Sequence, residues 1–424
     1  MRLYDTYTRG LVELPPPPGP IGMYFCGPTV YQRIHVGNAI PFVFPLWLRR
    51  WLQLGGYETK LVSNITDIND KIYDAAPGAS AQLAADATAW YIEDTNRLGL
   101  GRPDVEPTAV QTVPDQISTI ESLIEAGFAY ESDGDVYYRV ARFADYGRLS
   151  GQRPDQVEEQ EPNPRKEDPR DFALWKANKA GEDTWWDSPW GRGRPGWHIE
   201  CSVMAEKHLG PAFEIHGGGL DLVFPHHENE LAQSGALGHG FAHIWAHNGL
   251  LRFGGEKMSK SVGNVVSLRD ALDTWGRETL LVFFLSGHWR KPLDYTEETM
   301  AAARAQWADF LAAVYDPAER RSGAVWEAFA GALEDDFNTP EALAVLHDWR
   351  SAGQVELMQR GLAVFGLGIE RVEPPAGVSS LKEARDAARA ARDFAAADES
   401  RASIEEHGWS VRDRPDGSVL VPKP

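Results

Sequence analysis

The chain has 424 residues, with 42 Lys and Arg against 62 Asp and Glu, which gives a formal net charge of −20. Its hydrophobic content of 43% and charged content of 25% are typical of a folded globular protein, and its length predicts roughly two to four domains. No apolar run of about 18 residues and no signal-peptide core occur, so we expect a cytoplasmic protein without a membrane span. The acidic balance alone argues against a nucleic-acid partner, because phosphate contacts favour a basic surface.

The sequence pattern of the first part of the chain predicts a strand, a helix and a second strand, in that order. Residues 23–26 are apolar and predict a short buried strand that ends in a Gly-Pro turn. Residues 42–54 predict a helix, which Pro45 should kink or delay. Residues 57–65 alternate like a second strand. This order predicts a βαβ unit and therefore an α/β fold with a parallel, doubly wound sheet.

The composition and periodicity of the sequence change in the middle of the chain. Residues 84–129 have a helical pattern, whereas residues 134–196 are rich in Gly, Pro, Trp and charge and show little periodicity. We interpret the latter as an insertion that interrupts the sheet domain. Strand-like segments resume near 212–216 and 242–251.

After about residue 265 the pattern is helical. Trp307, Phe310, Leu311 and Val314 form one apolar helix face. Thr339 and Pro340 predict a helix start, with Thr339 as the N-cap. Residues 384–397 read as one solvated helix, and residues 413–417 as a turn between two short strands. From residue 375 onward the chain has eight Lys and Arg against nine Asp and Glu, so this tail is its least acidic part.

A His-Val-Gly-Asn motif lies between the first strand and the following helix. Ligands of α/β sheets bind at this place, outside the strand ends and beside a helix N-terminus. His35 can donate to phosphate oxygens, Gly37 lets a base or ribose approach the backbone, and Asn38 can donate a hydrogen bond. Alone, this short motif is a weak signal.

A lysine-rich loop follows two glycines much later in the chain. Two lysines around a small polar residue can neutralise charge that develops on phosphates, although solvated charge is the usual explanation of such loops. In this order, however, the two motifs resemble the signature of class I aminoacyl-tRNA synthetases. The loop residues assigned to ATP are Lys257, Met258, Ser259, Lys260 and Ser261.

The chain has only two cysteines, Cys26 and Cys201. His226 and Glu230 are four residues apart and therefore share one helix face. Together these four side chains would make a Cys₂HisGlu zinc site, although an ordinary i,i+4 pair of His226 and Glu230 is the simpler explanation of the last two. No His-Glu-x-x-His pattern occurs, which excludes a zinc protease of that type.

Longer stretches carry a more specific resemblance. They are residues 24–31, 64–70, 135–138, 146–150, 188–201, 215–221 and 336–340. On these stretches the chain resembles the cysteinyl-tRNA synthetase family along almost its whole length. The resemblance implies a Rossmann-like catalytic core with an insertion, a helical bundle and a small mixed C-terminal domain. The implied segments are 1–113 and 193–265 for the two catalytic halves, 114–192 for the connective insertion, 266–372 for the stem-contact and bundle region, and 375–424 for the anticodon-binding domain.

The resemblance also implies substrates and roles. The substrates are ATP, L-cysteine and tRNA-Cys, with Mg²⁺ accompanying ATP, one Zn²⁺ bound to the substrate sulfur, and a monomeric chain. His35, Asn38, Lys257 and Lys260 would be catalytic, and His198 would help bind ATP. Thr29, Thr66 and Trp197 would form the cysteine pocket. Arg389, Asp398 and Asp413 would read the anticodon.

Some positions depart from the family pattern. Asn38 stands where many members have His, and Ile40-Pro41 is unusual at the start of the signature helix. One rival hypothesis is a cysteine ligase on the same scaffold that acts on an amino-sugar, as in mycothiol synthesis, but that enzyme has no use for an anticodon domain. A non-catalytic paralogue should have lost the metal or lysine residues. A hydrolase that uses residues 216–219 as an oxyanion hole lacks the required Gly-x-Ser-x-Gly elbow.

Overall fold

The computed structural model describes residues 1–152, 162–253, 256–257, 265–321, 323, 325–415 and 417–423. Residues 258–261 of the lysine-rich loop lie outside this set, as does the side chain of Lys257. The chain divides into two compact units. The first comprises Met1–Thr274, Trp289–Asp294 and Glu334–Phe337, and the second comprises Trp275–His288, Tyr295–Leu333 and Asn338–Pro424.

The strands up to residue 295 form several small sheets. They are β1 (Arg2–Asp5), β2 (Gly10–Glu13), β3 (Pro20–Phe25), β4 (Glu58–Ser63), β5 (Ala129–Ser132), β6 (Asp135–Tyr138), β7 (Phe172–Ala177), β8 (Gly193–Pro195), β9 (Ala212–Gly219), β10 (Phe241–Asn248), β11 (Leu251–Phe253), β12 (Glu256–Lys257) and β13 (Leu293–Tyr295). The helices of the same region are α1 (Ile40–Leu54), α2 (Asp70–Ala75), α3 (Ser80–Asn96), α4 (Val113–Glu125), α5 (Trp197–Leu209), α6 (Glu228–Ala236) and α7 (Leu268–Trp275).

A four-stranded parallel sheet in the order β10-β9-β3-β4 forms the centre of the first unit. Met23 of β3 lies between Leu61 of β4 and Ile215 of β9, and all three are fully buried. Helix α1 connects β3 to β4 as a parallel crossover. The predicted α/β fold with a parallel sheet is therefore confirmed.

Helix α1 contains Pro45 in its interior and is not delayed by it, so that part of the prediction was wrong. A proline removes one backbone hydrogen bond, at a cost of about 3 kcal/mol or more. Ten of the fifteen residues of α1 are buried. Burial of so much apolar surface, at roughly 1.5–3 kcal/mol for each large side chain, outweighs the loss of one bond.

The insertion has more regular structure than its sequence indicates. Strands β5 to β8 form a four-stranded antiparallel sheet, packed in part by Tyr138 stacked on Phe172 with ring centroids 4.9 Å apart. The helical pattern of 84–129 is also broken. Helix α3 ends at Asn96 and α4 begins at Val113, because Gly99 and Gly101 adopt positive φ angles between them.

The rest of the chain is mainly helical. Its elements are α8 (Arg277–Leu285), α9 (Glu297–Tyr315), α10 (Trp326–Glu334), α11 (Thr339–Ser351), α12 (Val355–Val364), α13 (Ala376–Ala390), α14 (Phe394–Glu406), β14 (Trp409–Arg414) and β15 (Gly417–Pro422). The predicted apolar face of α9 is confirmed, since Trp307, Phe310, Leu311 and Val314 are all buried.

Two details of the C-terminal segment test the predictions of a turn and of a single helix there. The antiparallel pair of β14 and β15 confirms the predicted turn between short strands. The single helix predicted over 384–397 was wrong, because α13 ends at Ala390 and α14 begins at Phe394. Asp393 caps α14 by accepting a hydrogen bond from the Ala396 N–H at 3.1 Å, and Arg392 turns the chain with a φ of 61°.

The N-cap of α11 is Asn338, not Thr339 as predicted. The Asn338 Oδ1 accepts from the Glu341 N–H at 3.3 Å, and its Nδ2 donates to the Glu341 carboxylate at 2.8 Å. The Thr339 hydroxyl instead donates to the Gly287 carbonyl at 3.0 Å. We expect Asn338→Ala to lower the free energy of unfolding by about 1 kcal/mol.

Urea denaturation followed by circular dichroism measures this effect. The matched control is Asn338→Asp, which keeps a cap oxygen and should remain close to wild type. An alanine variant as stable as wild type would show that the cap contributes nothing.

Across the described residues, no helix combines the length and apolar character that a membrane span requires.

Candidate active site

A cavity of about 320 Å³ lies at the carboxyl ends of β3 and β9. Three of the four residues of the His-Val-Gly-Asn motif, His35, Gly37 and Asn38, line it, and Cys26 reaches it from the end of β3. Thr29 and Trp197 line it as well. Residues predicted separately for ATP, metal and cysteine therefore face one volume, at the edge of the sheet where α/β proteins bind ligands.

The motif forms a 3-10 turn, Val36–Ala39, that leads into α1. The Asn38 backbone N–H donates to the His35 carbonyl at 2.8 Å, and the Asn38 Oδ1 accepts from the His35 backbone N–H at 3.4 Å. A Cβ atom on Gly37 would lie 3.0 Å from the His35 ring. Glycine at this position therefore lets the imidazole fold closely over the turn.

The four predicted metal ligands come from separate elements and meet at one point. Cys26 follows β3, Cys201 lies in α5, His226 lies in the turn before α6, and Glu230 lies in α6. All four are buried, and their ligand atoms lie within 4.8 Å of one another. The Glu230 Oε1 is 3.7 Å from the Cys26 Sγ and 3.0 Å from the His226 Nε2.

These separations are close to those around a tetrahedral zinc ion, with the His226–Glu230 separation slightly shorter. Zinc bonds of 2.0–2.3 Å place neighbouring ligand atoms roughly 3.3–3.8 Å apart. Two sulfur donors with one imidazole and one carboxylate also match the preference of zinc for mixed soft and borderline ligands. The residues present therefore suit this ion.

A second set of donors overlaps the first and was missed by the sequence reasoning. It consists of Cys26, His216, His227 and Glu230. His216 Nε2 lies 2.7 Å from Glu230 Oε2, and its Nδ1 lies 3.2 Å from the Tyr24 carbonyl. The set with two sulfur donors would suit zinc better, and His216 would then be the outer partner that orients the Glu230 carboxylate. The available signal was a histidine, His216, within a segment predicted as a strand.

The electrostatics of this cluster favour a cation. Burial raises the pKa of Cys201, but the Cys26 thiol and His226 outweigh it and lower that pKa to about 6. Burial also raises the pKa of Glu230, but His216 and His226 lower it to about 2. At neutral pH the cluster therefore presents a thiolate and a carboxylate, the forms that bind metal.

His226 carries the positive charge that balances these anionic groups at neutral pH. Burial lowers its pKa, but Glu230 and Cys201 raise it to about 10. A bound cation would replace this proton, so metal binding should release it. Trp197 stacks on the His226 ring with centroids 4.1 Å apart and connects the metal cluster to the cavity wall.

The predicted cysteine pocket is assembled in part. Thr29 and Thr66 form a parallel bridge, and the Val30 N–H donates to the Thr66 carbonyl at 3.1 Å. Thr66 is buried, and its hydroxyl accepts from the Asn64 side chain at 3.0 Å. Thr29 and Trp197 line the cavity, whereas Thr66 lies behind Thr29.

Two other predicted sites lie elsewhere. His198 was predicted to bind ATP, but its Nδ1 lies 2.9 Å from the His226 Nδ1, and it lines an adjoining cavity. In the C-terminal segment, the Asp413 carboxylate accepts from Arg385 at 2.8 Å and from Arg389 at 3.1 Å. Asp398 is exposed on α14.

Comparisons with known proteins agree with this geometry. Residues 15–305 match the family model of the class I (C) tRNA synthetase catalytic domain, and residues 328–352 match the DALR domain. A cysteine--tRNA ligase of Brevibacillus brevis is 42% identical over 94% of both chains. Another, from Parvibaculum lavamentivorans, is 43% identical over 99% of this chain and 97% of its own.

A solved structure supports the fold. The methionyl-tRNA synthetase of Mycobacterium tuberculosis, in complex with methionyl-adenylate, superposes with a TM-score of 0.59 at 14% identity, covering 82% of this chain and 90% of that one. Sequence identity over nearly the whole chain decides the narrower assignment. The chain belongs to the cysteine--tRNA ligase family of class I aminoacyl-tRNA synthetases.

Proposed function

We propose that this protein ligates cysteine to tRNA-Cys in two ATP-dependent steps. One observation carries the proposal: the His35–Asn38 turn and the Cys26 end of the metal cluster line the same cavity. A nucleotide held by the turn and a thiol held at the cluster would thus lie side by side. This arrangement suits a reaction that joins the carboxylate of a thiol-bearing amino acid to a nucleotide.

In the first step the cysteine carboxylate attacks the α-phosphorus of ATP, pyrophosphate leaves, and cysteinyl-adenylate forms. His35 and Asn38 donate hydrogen bonds to the phosphate oxygens while charge develops on them. Lys257 and Lys260 would neutralise further charge, with Mg²⁺ bound to ATP. In the second step a terminal ribose hydroxyl of the tRNA attacks the acyl carbonyl, and AMP leaves.

Selection of cysteine is assigned to the metal cluster. Zn²⁺ held by Cys26, Cys201, His226 and Glu230 would bond to the substrate sulfur and so distinguish thiolate from hydroxyl. Shape alone distinguishes similar side chains only about 10–200-fold. Thr29, Thr66 and Trp197 would enclose the rest of the cysteine molecule. Because the sulfur bond supplies the discrimination, no editing domain is required.

Several features favour tRNA over an amino-sugar as the acceptor. The relatives that match over almost the full length are cysteine--tRNA ligases, and residues 328–352 match the DALR domain. A helix pair with a short hairpin, α13 to β15, follows that match. We assign this segment, 375–424, to the anticodon, and residues 114–192 and 266–372 to the insertion and the stem-contact bundle of a monomeric enzyme.

Transfer assays with two acceptors test the proposal. Purified protein is given ATP, labelled cysteine and either a tRNA-Cys transcript or an amino-sugar acceptor. We expect label on the tRNA and none on the amino-sugar. Adenylate formation with transfer only to the amino-sugar would overturn the proposal in favour of the rival ligase.

The anticodon assignment gives a separate prediction. Asp413→Asn should lower kcat/KM for tRNA-Cys by about tenfold or more, because a base-contacting carboxylate is worth roughly 1–3 kcal/mol. ATP–pyrophosphate exchange, which needs no tRNA, should not change. The control is Glu399→Gln, an exposed carboxylate on α14. Because Asp413 pairs with Arg385 and Arg389, the melting temperature is measured too. Unchanged charging by a folded variant would contradict the assignment.

A further inference from the structure

A second cavity of about 350 Å³ adjoins the first one. The two share Thr29, Lys71 and Trp197 as wall residues. The second cavity extends towards the insertion, where β7 and β8 line it, and its other wall is the first turn of α5. Its size suits one small ligand or one residue of a polymer, and the reaction described so far does not use it.

Glu200 is an unusual wall residue. It is only 1% exposed, it lines the second cavity, and its Oε2 has no hydrogen-bond partner in the part of the chain that the structure describes. Buried polar atoms are nearly always hydrogen-bonded, since leaving one unpaired destabilises the folded protein. A buried acceptor at a cavity wall is thus positioned for a ligand that donates.

The charged residues that line the second cavity indicate which class of ligand it could bind. Five cationic and three acidic side chains line it. Ion pairs join Lys176 and Arg194 to Asp70, Arg194 also to Glu182, and Arg170 to Asp168. The wall therefore presents cationic side chains that a phosphate-bearing ligand could contact. Phe172 also lines the cavity, with its ring stacked on Tyr138. The cationic residues are Lys71, Lys166, Arg170, Lys176 and Arg194, and the carboxylates are Asp70, Asp171 and Glu200.

We propose that the second cavity receives the penultimate nucleotide of the tRNA 3′ end, a cytidine whose exocyclic amine donates to Glu200. A tRNA ends in CCA, and its terminal adenosine must reach cysteine in the first cavity. The next nucleotide then lies one phosphodiester away, and the shared wall provides that neighbouring space. Carboxylates accept from cytosine N4, whereas the O4 of uracil is itself an acceptor. This inference rests on the proposed function.

Glu200→Leu tests the contact. Among the described residues Glu200 Oε2 has no partner, so replacing this buried carboxyl by an apolar side chain of similar size should not lower the melting temperature. The zinc content and the rate of ATP–pyrophosphate exchange are measured on the same sample. Wild type should charge a transcript ending in CCA about tenfold or more faster than one ending in CUA. The variant should charge CCA about tenfold more slowly than wild type and no longer distinguish the two ends.

Every other outcome would contradict the proposed contact between Glu200 and the cytidine. Equal charging of both transcripts by wild type, or full charging of CCA by the variant, overturns the inference alone. A parallel loss of exchange and charging would assign Glu200 to the support of the metal cluster instead. Wild type that forms adenylate but charges no transcript overturns the tRNA proposal as well.

Free nucleotides are the other source of the same chemistry. Cytidine monophosphate is added to wild type and to Glu200→Leu, and the melting temperature is recorded. Stabilisation of wild type alone, combined with equal charging of both transcripts, would assign the cavity to a free nucleotide and overturn the tRNA-end assignment.

The phosphate contacts have their own variant. Lys176 lines the second cavity, and its ammonium lies 3.1 Å from the Asp70 carboxylate. Lys176→Ala should weaken tRNA binding. It should also reduce, by about one, the magnitude of the slope of log binding constant against log salt concentration. Lys207→Ala, an exposed lysine on α5 that pairs with Asp115, is the matched control and should change neither quantity. An unchanged slope for Lys176→Ala would contradict the phosphate contact.

Discussion

Replacing Cys201 by serine is expected to abolish stoichiometric metal binding and to lower kcat/KM for cysteine in adenylate formation at least about 100-fold. A hydroxyl keeps the approximate size of the thiol but is a poor ligand for zinc. The remaining three donors would hold the ion weakly, and the bond to the substrate sulfur would be lost with the ion. The activation of serine, already slow, should change little.

Metal analysis and ATP–pyrophosphate exchange measure the two effects on one preparation. Lys207→Ala is the matched control, because Lys207 lies on the same helix and pairs at the surface with Asp115 at 2.6 Å. It should keep both the metal and the activity. A Cys201→Ser enzyme that retains full activity while lacking metal would show that the thiol is not recognised through the cluster.

His35→Ala is the second large effect. We expect kcat for adenylate formation to fall about 10²–10³-fold, because one donor aimed at developing phosphate charge is removed from a preorganised site. The KM for ATP should change much less, since the interaction is strongest in the transition state. His243→Ala, an exposed histidine on β10, serves as the control.

Pre-steady-state adenylate formation separates this effect from binding. A rise in the KM for ATP with an unchanged kcat would show that His35 binds the ground state and transition state equally. A change of less than about threefold in both constants would remove His35 from the mechanism.

The central sheet could be predicted because its signals are local and strong. Residues 23–26 and 57–65 are apolar or alternating segments on either side of a helical pattern, and they became β3 and β4. The antiparallel sheet of the insertion could not be predicted in the same way. Strands β5, β6 and β8 have only three or four residues each, too few for a period of two to stand out.

Helix ends were harder to predict than helices. Asn338 and Thr339 are both good N-cap residues, and the choice depends on the tertiary contact of Thr339 with the Gly287 carbonyl. The break between α13 and α14 depends on the backbone of Arg392, whose positive φ no periodicity indicates.

The four proposed metal donors could be selected from the sequence by residue type, whereas their surroundings could not. Cys26 and Cys201 were conspicuous as the only cysteines. The role of His216 depends on where β9 places it relative to α6, which spacing along the chain does not encode. Likewise, only the folded insertion beside α5 reveals that Glu200 Oε2 has no partner among the residues that the structure describes.

The most direct test of the account compares cysteine with serine in the presence and absence of metal. Wild-type enzyme of measured zinc content is assayed for charging of tRNA-Cys with each amino acid, then after chelation, and again after zinc is restored. We predict one zinc per chain, a preference for cysteine far above the roughly 200-fold limit of shape recognition, loss of charging on chelation, and recovery with zinc. Undiminished, cysteine-specific charging by the metal-free enzyme would contradict the account.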